Sequence, residues 1–260
     1  MSYWTDLSIE FANQRNYLDE LFKIYPTIPE GIRVINKNLW KYVEDSFNAR
    51  DNISLITNLL RLDFFPIKDS YVAYLKRDPS SIQRNPNTIN RLCGRLYEMG
   101  LDAMFEKCSA PKETNRQIGP LFKRWLSNGG LGIKTVGIER FQETTENAIL
   151  DASDTEMKDW CSKHLNYSRN KGLDFVGRFN KKYVVGEAKF LSDFGGHQNA
   201  QFADAIATLT NSSLKATPIA ILDGVLYIKT NNKMYKDITT TYSNFNIVSA
   251  LLLREFLYSL

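Results

Sequence analysis

The sequence has few of the residues that build disulfide frameworks or zinc sites. Its 260 residues include two histidines and three cysteines, Cys93, Cys108 and Cys161, which are widely separated. It contains no CxxC pair and no cluster of cysteine with histidine. Disulfide scaffolds and structural zinc sites need paired or closely spaced ligands. The sequence therefore favours neither class of site, and a reduced, cytoplasmic location fits it best.

Long apolar runs are also missing. No segment approaches the roughly 20 consecutive apolar residues that a membrane-spanning helix needs. The first residues, Met-Ser-Tyr-Trp-Thr-Asp-Leu, do not combine a basic start with the apolar run of a secretory signal. We therefore expect no membrane partner and no secretion.

Nucleotide-binding motifs are absent as well. Glycines are concentrated in Ser127-Asn-Gly-Gly-Leu-Gly132, but no Gly-Lys-Ser or Gly-Lys-Thr follows, and no GxGxxG opens a helix. We interpret this segment as a boundary or a mobile loop. It separates a predicted largely helical region, 1–130, from a predicted catalytic region, 131–260.

The sequence has ample apolar material and an uneven distribution of charge. Hydrophobic residues make up 43% of the chain and aromatic residues 12%, enough for a sizeable core. Residues 64–140 contain 13 basic and 7 acidic side chains, whereas residues 141–260 contain 13 of each. The excess positive charge in the middle of the chain suits a polyanionic partner, although basic residues also solvate ordinary helices.

The most informative feature is a pair of acids and a lysine in the segment 172–190. This segment is typical of two short strands joined by a polar turn at Asn180-Lys181-Lys182. Side chains alternate between the two faces of a strand, so Glu187 and Lys189 project to the same side. A hairpin would bring Asp174 beside them. Two carboxylates and an ammonium at one sheet edge suit a hard divalent cation and an activated water.

These residues resemble the PD-(D/E)xK nuclease superfamily, and most of all its type II restriction endonucleases. Asp174 matches the first acid, Glu187 the second and Lys189 the lysine, while Leu173 stands where the family usually has proline. The resemblance covers about 145–228. It implies that Asp174, Glu187 and the backbone carbonyl of Ala188 bind one or two Mg²⁺ ions. It also implies that Lys189 orients or deprotonates the attacking water. The open alternative is a surface hairpin with solvated ion pairs.

The remaining pattern predicts an α/β fold. Apolar residues at helical spacing predict N-terminal helices, including one continuous helix over 7–24. After residue 150 we expect a helix capped by Ser153, the hairpin, a helix over 197–209, a strand over 217–222 with a hairpin partner over 225–228, and a closing helix. This is a restriction-endonuclease-like mixed sheet flanked by helices, with a largely helical N-terminal half.

Two further positions are candidates for the catalytic site. Many relatives in the resembled superfamily add an upstream acid, and we favour Glu146 over Glu143 and Asp151. Gln198 lies at the start of the predicted helix that follows the lysine strand. It could reach a substrate phosphate or a metal-held water, although it could equally be a helix-cap glutamine.

Two segments of the N-terminal half are candidates for DNA contact. A short helix, a break and a second helix after residue 80 resemble a helix-turn-helix, and their polar side chains could meet phosphates or base edges. The alternative for these helices is an ordinary exposed surface. The loop after residue 111 is the second candidate for DNA contact. The candidate DNA-contact residues are Arg84, Asn87, Asn90, Arg91, Arg95, Lys112, Asn115 and Arg116.

The hypothesis that unites these features is a Mg²⁺-dependent type II restriction endonuclease that cuts double-stranded DNA at a short specific sequence. Palindromic sites suit a two-fold homodimer, and a cognate DNA methyltransferase is expected in the same system, without direct contact. The alternatives are a repair or junction-resolving nuclease and a non-enzymatic sequence-specific DNA-binding regulator.

Overall fold

The computed structural model describes residues 1–14, 16–27, 34–110, 117–211 and 213–260. The chain forms two compact units. The first, here called the core unit, joins Met1–Ile28 to Glu113–Leu260, and the second, the helical unit, is Pro29–Lys112. These limits differ from the predicted division at residue 130, because described residues within 1–27 and 117–130 pack with the C-terminal sheet.

The core unit is built on one mixed sheet. Its six strands lie side by side in chain order. The third strand pairs antiparallel with the second and the fourth, and the other three pairings are parallel. The strands are β1 (Thr135–Val136), β2 (Ala148–Leu150), β3 (Phe175–Phe179), β4 (Lys182–Leu191), β5 (Thr217–Gly224) and β6 (Ile247–Val248). This arrangement confirms the predicted α/β class with a mixed sheet.

The predicted hairpin is present as β3 and β4. Its turn is formed by Asn180 and Lys181, which both have positive φ angles, 49° and 66°. Positive φ at both central residues is the geometry of a tight two-residue hairpin turn, and asparagine tolerates it well. The turn sets the register, in which Phe175 pairs with Gly186 and Phe179 with Lys182.

The prediction that residues 225–228 form a hairpin with β5 is wrong. Residues Val225–Tyr227 form a short 3-10 helix, and β6, a later segment, pairs with β5 in parallel. Gly224 turns the chain out of the sheet with a φ of 102°, so the residues after it do not return alongside β5. The predicted closing helix is likewise replaced by β6, a 3-10 turn and a shorter helix.

Helices cover both faces of the sheet in the core unit. They are α1 (Tyr3–Ala12), α2 (Tyr17–Ile24), α9 (Ile118–Ser127), α10 (Ile138–Glu143), α11 (Asp154–Leu165), α12 (Gly196–Leu209), α13 (Lys233–Thr239) and α14 (Leu253–Tyr258), numbered along the whole chain. The predicted continuous helix over 7–24 is divided into α1 and α2. At the break, the Asn13 amide donates to the backbone carbonyls of Ile9 and Tyr227.

The sheet separates two apolar clusters. Val176 and Val185 belong to the cluster under α11, with Trp160, whereas the neighbouring Phe175 and Val184 belong to the larger cluster. Adjacent residues of a strand therefore face opposite sides, as strand geometry requires. Side chains at 174, 187 and 189 follow the alternation of Val176 and Val185, so they lie on the α11 side of the sheet.

The helical unit has a core of its own. Its helices are α3 (Lys37–Asn48), α4 (Asn52–Leu60), α5 (Val72–Arg77), α6 (Ser81–Arg84), α7 (Pro86–Met99) and α8 (Leu101–Ser109). Leu55, Leu59, Leu92 and Leu96 are fully buried among them. Within the described part of the chain, no helix of either unit is long and apolar enough to cross a membrane.

Candidate active site

The three charged residues of the sequence motif meet at the end of the β3–β4 hairpin opposite its turn. The Lys189 ammonium forms ion pairs with both acids, with Asp174 Oδ2 and with Glu187 Oε2, the latter at 2.9 Å. Glu187 and Lys189 come from β4, and Asp174 immediately precedes β3. The predicted convergence of Asp174, Glu187 and Lys189 is therefore present in the structure.

Backbone hydrogen bonds fix the position of Asp174. Its N–H donates to the Gly186 carbonyl at 3.2 Å, which extends the hairpin pairing by one residue. The Ala188 N–H donates to Asp174 Oδ2 at 3.0 Å, so the carboxylate is held against the backbone of β4. The hairpin register thus places the first acid beside the Glu-Ala-Lys segment.

Glu187 is the most deeply buried charged group of the site. Its side chain is 1% exposed, and among the described residues its Oε1 atom has no hydrogen-bond partner. Burial, with the nearby Asp174 carboxylate, raises the pKa of Glu187 to about 7, although Lys189 and Lys171 oppose the shift. An unpartnered buried carboxylate oxygen is costly unless a ligand satisfies it.

Lys189 remains a cation in this environment. Burial alone lowers the pKa of an ammonium, but the carboxylates of Asp174 and Glu187 outweigh burial and raise the pKa of Lys189 above its ordinary value. The site therefore presents a protonated lysine between two acids.

The donor set suits a hard divalent cation. Carboxylate oxygens are the ligands that Mg²⁺ prefers, and the free Oε1 of Glu187 is available for one. In the described residues no group of three or more histidine, cysteine, aspartate or glutamate side chains gathers closely enough to hold a metal. Two carboxylates would therefore need help from a backbone carbonyl, such as the predicted one of Ala188, and from water. Mg²⁺ keeps several waters in most protein sites.

A second lysine, which the sequence analysis did not identify, reaches the same carboxylate. Lys171 Nζ lies 3.6 Å from Glu187 Oε2 and 2.7 Å from Asp204 Oδ2 on α12. Arg169 donates to the Asp204 carbonyl at 3.1 Å and to Thr208 Oγ1 at 2.6 Å. One feature of the sequence indicates a polar contact on α12: Gln201, Asp204 and Thr208 share a face of that helix.

The structure places Glu146, the favoured upstream acid, away from this group. Ala148 pairs with Arg178, and the Glu146 carbonyl accepts from Arg178 Nε, so Glu146 lies toward the turn end of the hairpin. Four residues of strand separate that position from Asp174, or roughly 13 Å. Glu143, at the end of α10, is also exposed.

Asp151 lies at the same end of the sheet as Asp174 instead. It directly follows β2, which runs antiparallel to β3, and it lines the same small cavity as Asp174, together with Lys123 and Thr135. Its carboxylate accepts from Thr135 Oγ1 at 3.3 Å. Among the three upstream acids that the sequence offered, the strand register therefore singles out Asp151.

Gln198 lies in the first turn of α12 and is 7% exposed. Its amide N–H₂ donates to Ser192 Oγ at 3.2 Å, and its buried Oε1 has no partner among the described residues. Gln201 instead contacts the His197 ring at 3.1 Å and is partly exposed. Gln198 is thus the glutamine of α12 with an unsatisfied polar atom.

The predicted DNA-contact residues of the helical unit are exposed on or next to α6 and α7. Three of the arginines are engaged in ion pairs, Arg84 with Asp78 at 2.6 Å, Arg91 with Asp69 at 2.7 Å and Arg95 with Glu98 at 3.5 Å. Asn90 accepts from Asn52, and Asn87 is exposed. The other candidates, Lys112, Asn115 and Arg116, lie outside the described residues.

Comparison with known proteins gave one finding for the chain as a whole. A family model described as Tsp45I type II restriction enzyme matches residues 2–260. Neither the curated proteins nor the solved structures include a match.

Proposed function

Because the chain belongs to the Tsp45I type II restriction enzyme family, we propose that Asp174, Glu187 and Lys189 form its Mg²⁺-dependent catalytic site. The site would hydrolyse phosphodiester bonds of double-stranded DNA at a short specific sequence. The observation that carries this assignment is the convergence of two carboxylates on one lysine, with the buried Glu187 Oε1 left unpartnered. This arrangement matches the PD-(D/E)xK pattern, to which we assign the site.

Asp174 and Glu187 would hold the cation, with the Ala188 carbonyl as a further ligand. Mg²⁺ bound there would supply positive charge against the phosphate oxygens and acidify an attacking water. The rigid pairing of β3 with β4 keeps the two carboxylates at a fixed separation, and such fixed positioning lowers the reorganisation that the reaction requires.

Lys189 acts as a cation in this proposal. Its carboxylate neighbours raise its pKa, so it keeps its proton and donates hydrogen bonds. When the acids are engaged by a cation, the ammonium can turn toward the water nucleophile and the phosphate, orienting the first and offsetting the growing charge of the second. We favour this role over that of a general base.

The helical unit and Gln198 have supporting roles in the proposal. Gln198 would use its unsatisfied Oε1 to accept a hydrogen bond from water at the site. Arg84, Asn87, Asn90, Arg91 and Arg95 would contact DNA, with the arginines exchanging their present acidic partners for phosphates. A homodimer would match a palindromic site, and a methyltransferase of the same specificity would protect the host DNA.

Plasmid digestion tests the proposal directly. The protein is incubated with a sequenced plasmid, with and without Mg²⁺, and discrete fragments are expected only with the cation. Lys189→Ala should reduce cleavage by roughly 100-fold or more, as expected for loss of a group that stabilises transition-state charge. It should retain binding to the cleaved sequence in a mobility-shift assay with Ca²⁺.

Lys163→Ala is the matched control, because Lys163 is an exposed lysine of α11 in the same unit. It should cut at the wild-type rate. Full cleavage by Lys189→Ala would contradict the site assignment, and fragments formed equally well in EDTA would contradict the dependence on Mg²⁺. Binding without cutting by the wild type would favour the non-enzymatic DNA-binding alternative.

A further inference from the structure

Lys171 occupies a position that the two-acid, one-lysine motif does not explain. It lies three residues before Asp174, and its ammonium reaches both the buried Glu187 and the more exposed Asp204. Glu187 Oε2 already accepts from Lys189 at 2.9 Å. Lys189 is shared between Asp174 and Glu187, so Lys171 is the second ammonium group beside the two acids.

The segment that carries Lys171 is firmly anchored. Arg169 binds α12 through Thr208 and the Asp204 carbonyl, and the Leu173 N–H donates to the Asp154 carbonyl at 3.2 Å. Gly172 packs so closely on α11 that a Cβ atom there would lie 2.6 Å from the Asp154 Cβ. These contacts hold the backbone of Lys171 in place on both sides.

The Lys171 ammonium is also available to a ligand. Its side chain is 31% exposed, compared with 20% for Lys189 and 1% for Glu187. Asp204, which holds it at 2.7 Å, takes one of its three N–H donors. Glu187 Oε2, at 3.6 Å, is the other acidic neighbour of Lys171, so at least one further N–H donor can bind a ligand such as a phosphate.

Charge balance favours a phosphate as this ligand. When all are ionised, the two acids offset Lys171 and Lys189, and Arg169 offsets Asp204, so these six side chains carry no net charge without a cation. A divalent cation on the acids would leave two positive charges in excess. Attack of hydroxide on a phosphodiester produces a transition state with two negative charges, which this excess would match.

We propose that Lys171 is a second catalytic lysine, held by Asp204, whose ammonium contacts a non-bridging oxygen of the scissile phosphate. The inference rests on the proposed nuclease function and adds a residue to it. Lys189 orients the water and offsets charge on the phosphate, and Lys171 adds a second contact to the phosphate. Asp204 is then a positioning residue, because it acts through Lys171.

The test combines DNA binding and cleavage by Lys171→Met. Binding of a duplex containing the cleaved sequence is measured in Ca²⁺ at several NaCl concentrations. Loss of one phosphate contact should reduce the slope of log K against log salt by about 0.9. Single-turnover cleavage in Mg²⁺ should fall by roughly 100-fold. Lys171→Arg should keep the salt slope, because it retains the charge.

Lys158→Met is the matched control, since Lys158 is a similarly buried lysine of α11 that pairs with the adjacent Asp159. It should change neither slope nor rate. Thermal unfolding verifies that each variant is folded, and Lys171→Gln replaces the methionine variant if that one is not.

Wild-type slope and rate in a folded Lys171 variant would overturn the inference. An unchanged salt slope together with tighter Ca²⁺ binding by the variant would also overturn it. That result is expected if Lys171 only neutralises Glu187 and does not contact phosphate. A wild-type protein that binds DNA without cutting it contradicts the proposed function instead, and the slope still decides whether Lys171 contacts phosphate.

Discussion

Acidic residues at the end of the sheet that carries Asp174 differ in their surroundings according to the strand position that they occupy. Glu187 is enclosed by β4 and its neighbours, whereas Asp174 and Asp151 line a small cavity at the sheet end. Glu146 is only five residues before Asp151 in sequence but lies toward the hairpin turn. Of the acids that flank β2, the one that follows the strand, Asp151, therefore lies near Asp174, and the one that precedes it, Glu146, does not.

Substitution of the upstream acids separates these positions. Asp151→Asn should lower the single-turnover cleavage rate, by roughly 10-fold or more, because it removes a negative charge beside Asp174 in the shared cavity. Glu146→Gln should leave the rate unchanged. Reduced cleavage by the Glu146 variant, with a wild-type rate for the Asp151 variant, would restore Glu146 as the third acid.

The motif residues could be predicted from the sequence because their geometry is local. Strand alternation placed Glu187 and Lys189 on one face, and a two-residue turn fixed Phe175 opposite Gly186, which brings the preceding Asp174 beside the Glu-Ala-Lys segment. Lys171 and Asp204 could not be found in this way. Their approach depends on how α12 packs on the sheet after a long stretch of intervening chain, and no local pattern encodes that packing.

At the scale of elements, a buried carboxylate ties β5 to segments far from it in sequence. Asp223 accepts hydrogen bonds from Tyr17 and Tyr25, at 3.0 and 3.2 Å, and from Ser249 and the Ala250 N–H. It is fully buried, and burial raises its pKa to about 6, although the hydrogen bonds oppose the shift. The ordinary aspartate pKa is 3.8.

Asp223→Ala should destabilise the protein by about 3 kcal/mol, because it leaves several buried donors without an acceptor. The folded pKa lies above the unfolded value, so the contribution of this carboxyl is complete below its ordinary pKa and declines as pH rises through 6. The stability margin of wild type over the variant should therefore shrink by about 1 kcal/mol between pH 5 and pH 8. Urea denaturation across that range measures it.

Asp193→Ala serves as the control, since Asp193 is exposed. Its stability should stay near that of the wild type and should follow the same pH profile. A margin that grows with pH for the Asp223 variant would show that the hydrogen bonds, not burial, govern that carboxyl.

The same elements show where sequence patterns were insufficient. Val225–Tyr227 has the apolar composition of a strand, but the positive φ of Gly224 redirects the chain and leaves the place beside β5 to β6. A Cβ at Gly224 would lie 2.1 Å from the Leu191 carbonyl oxygen. The requirement for glycine is thus set by a neighbouring strand and is invisible in the local sequence.

At the scale of the whole molecule, the division into units was harder to predict than the class of fold. Helical spacing is visible along 1–130, but it does not show which helices pack together. The structure assigns α1, α2 and α9 to the core unit and Pro29–Lys112 to the helical unit. Membership depends on distant contacts, such as those of Thr5 with the carbonyls of Phe245 and Ile247.

The proposed homodimer is testable on the intact protein. Sedimentation equilibrium with a duplex carrying the cleaved site should give two chains, each of 29.9 kDa, per duplex. A plasmid with one site should then be linearised without accumulation of nicked circles. One chain per duplex, with nicked circles preceding linear product, would contradict the dimer.

The pairing of the first and last segments of the core unit links completion of its fold to the end of synthesis. The Ser2 N–H binds the Ser243 carbonyl, and the Ser249 N–H donates to Ser8. Because α1 packs on β6, it cannot complete its packing until β6 has emerged from the ribosome. A nascent chain thus lacks its complete six-stranded sheet for most of its translation.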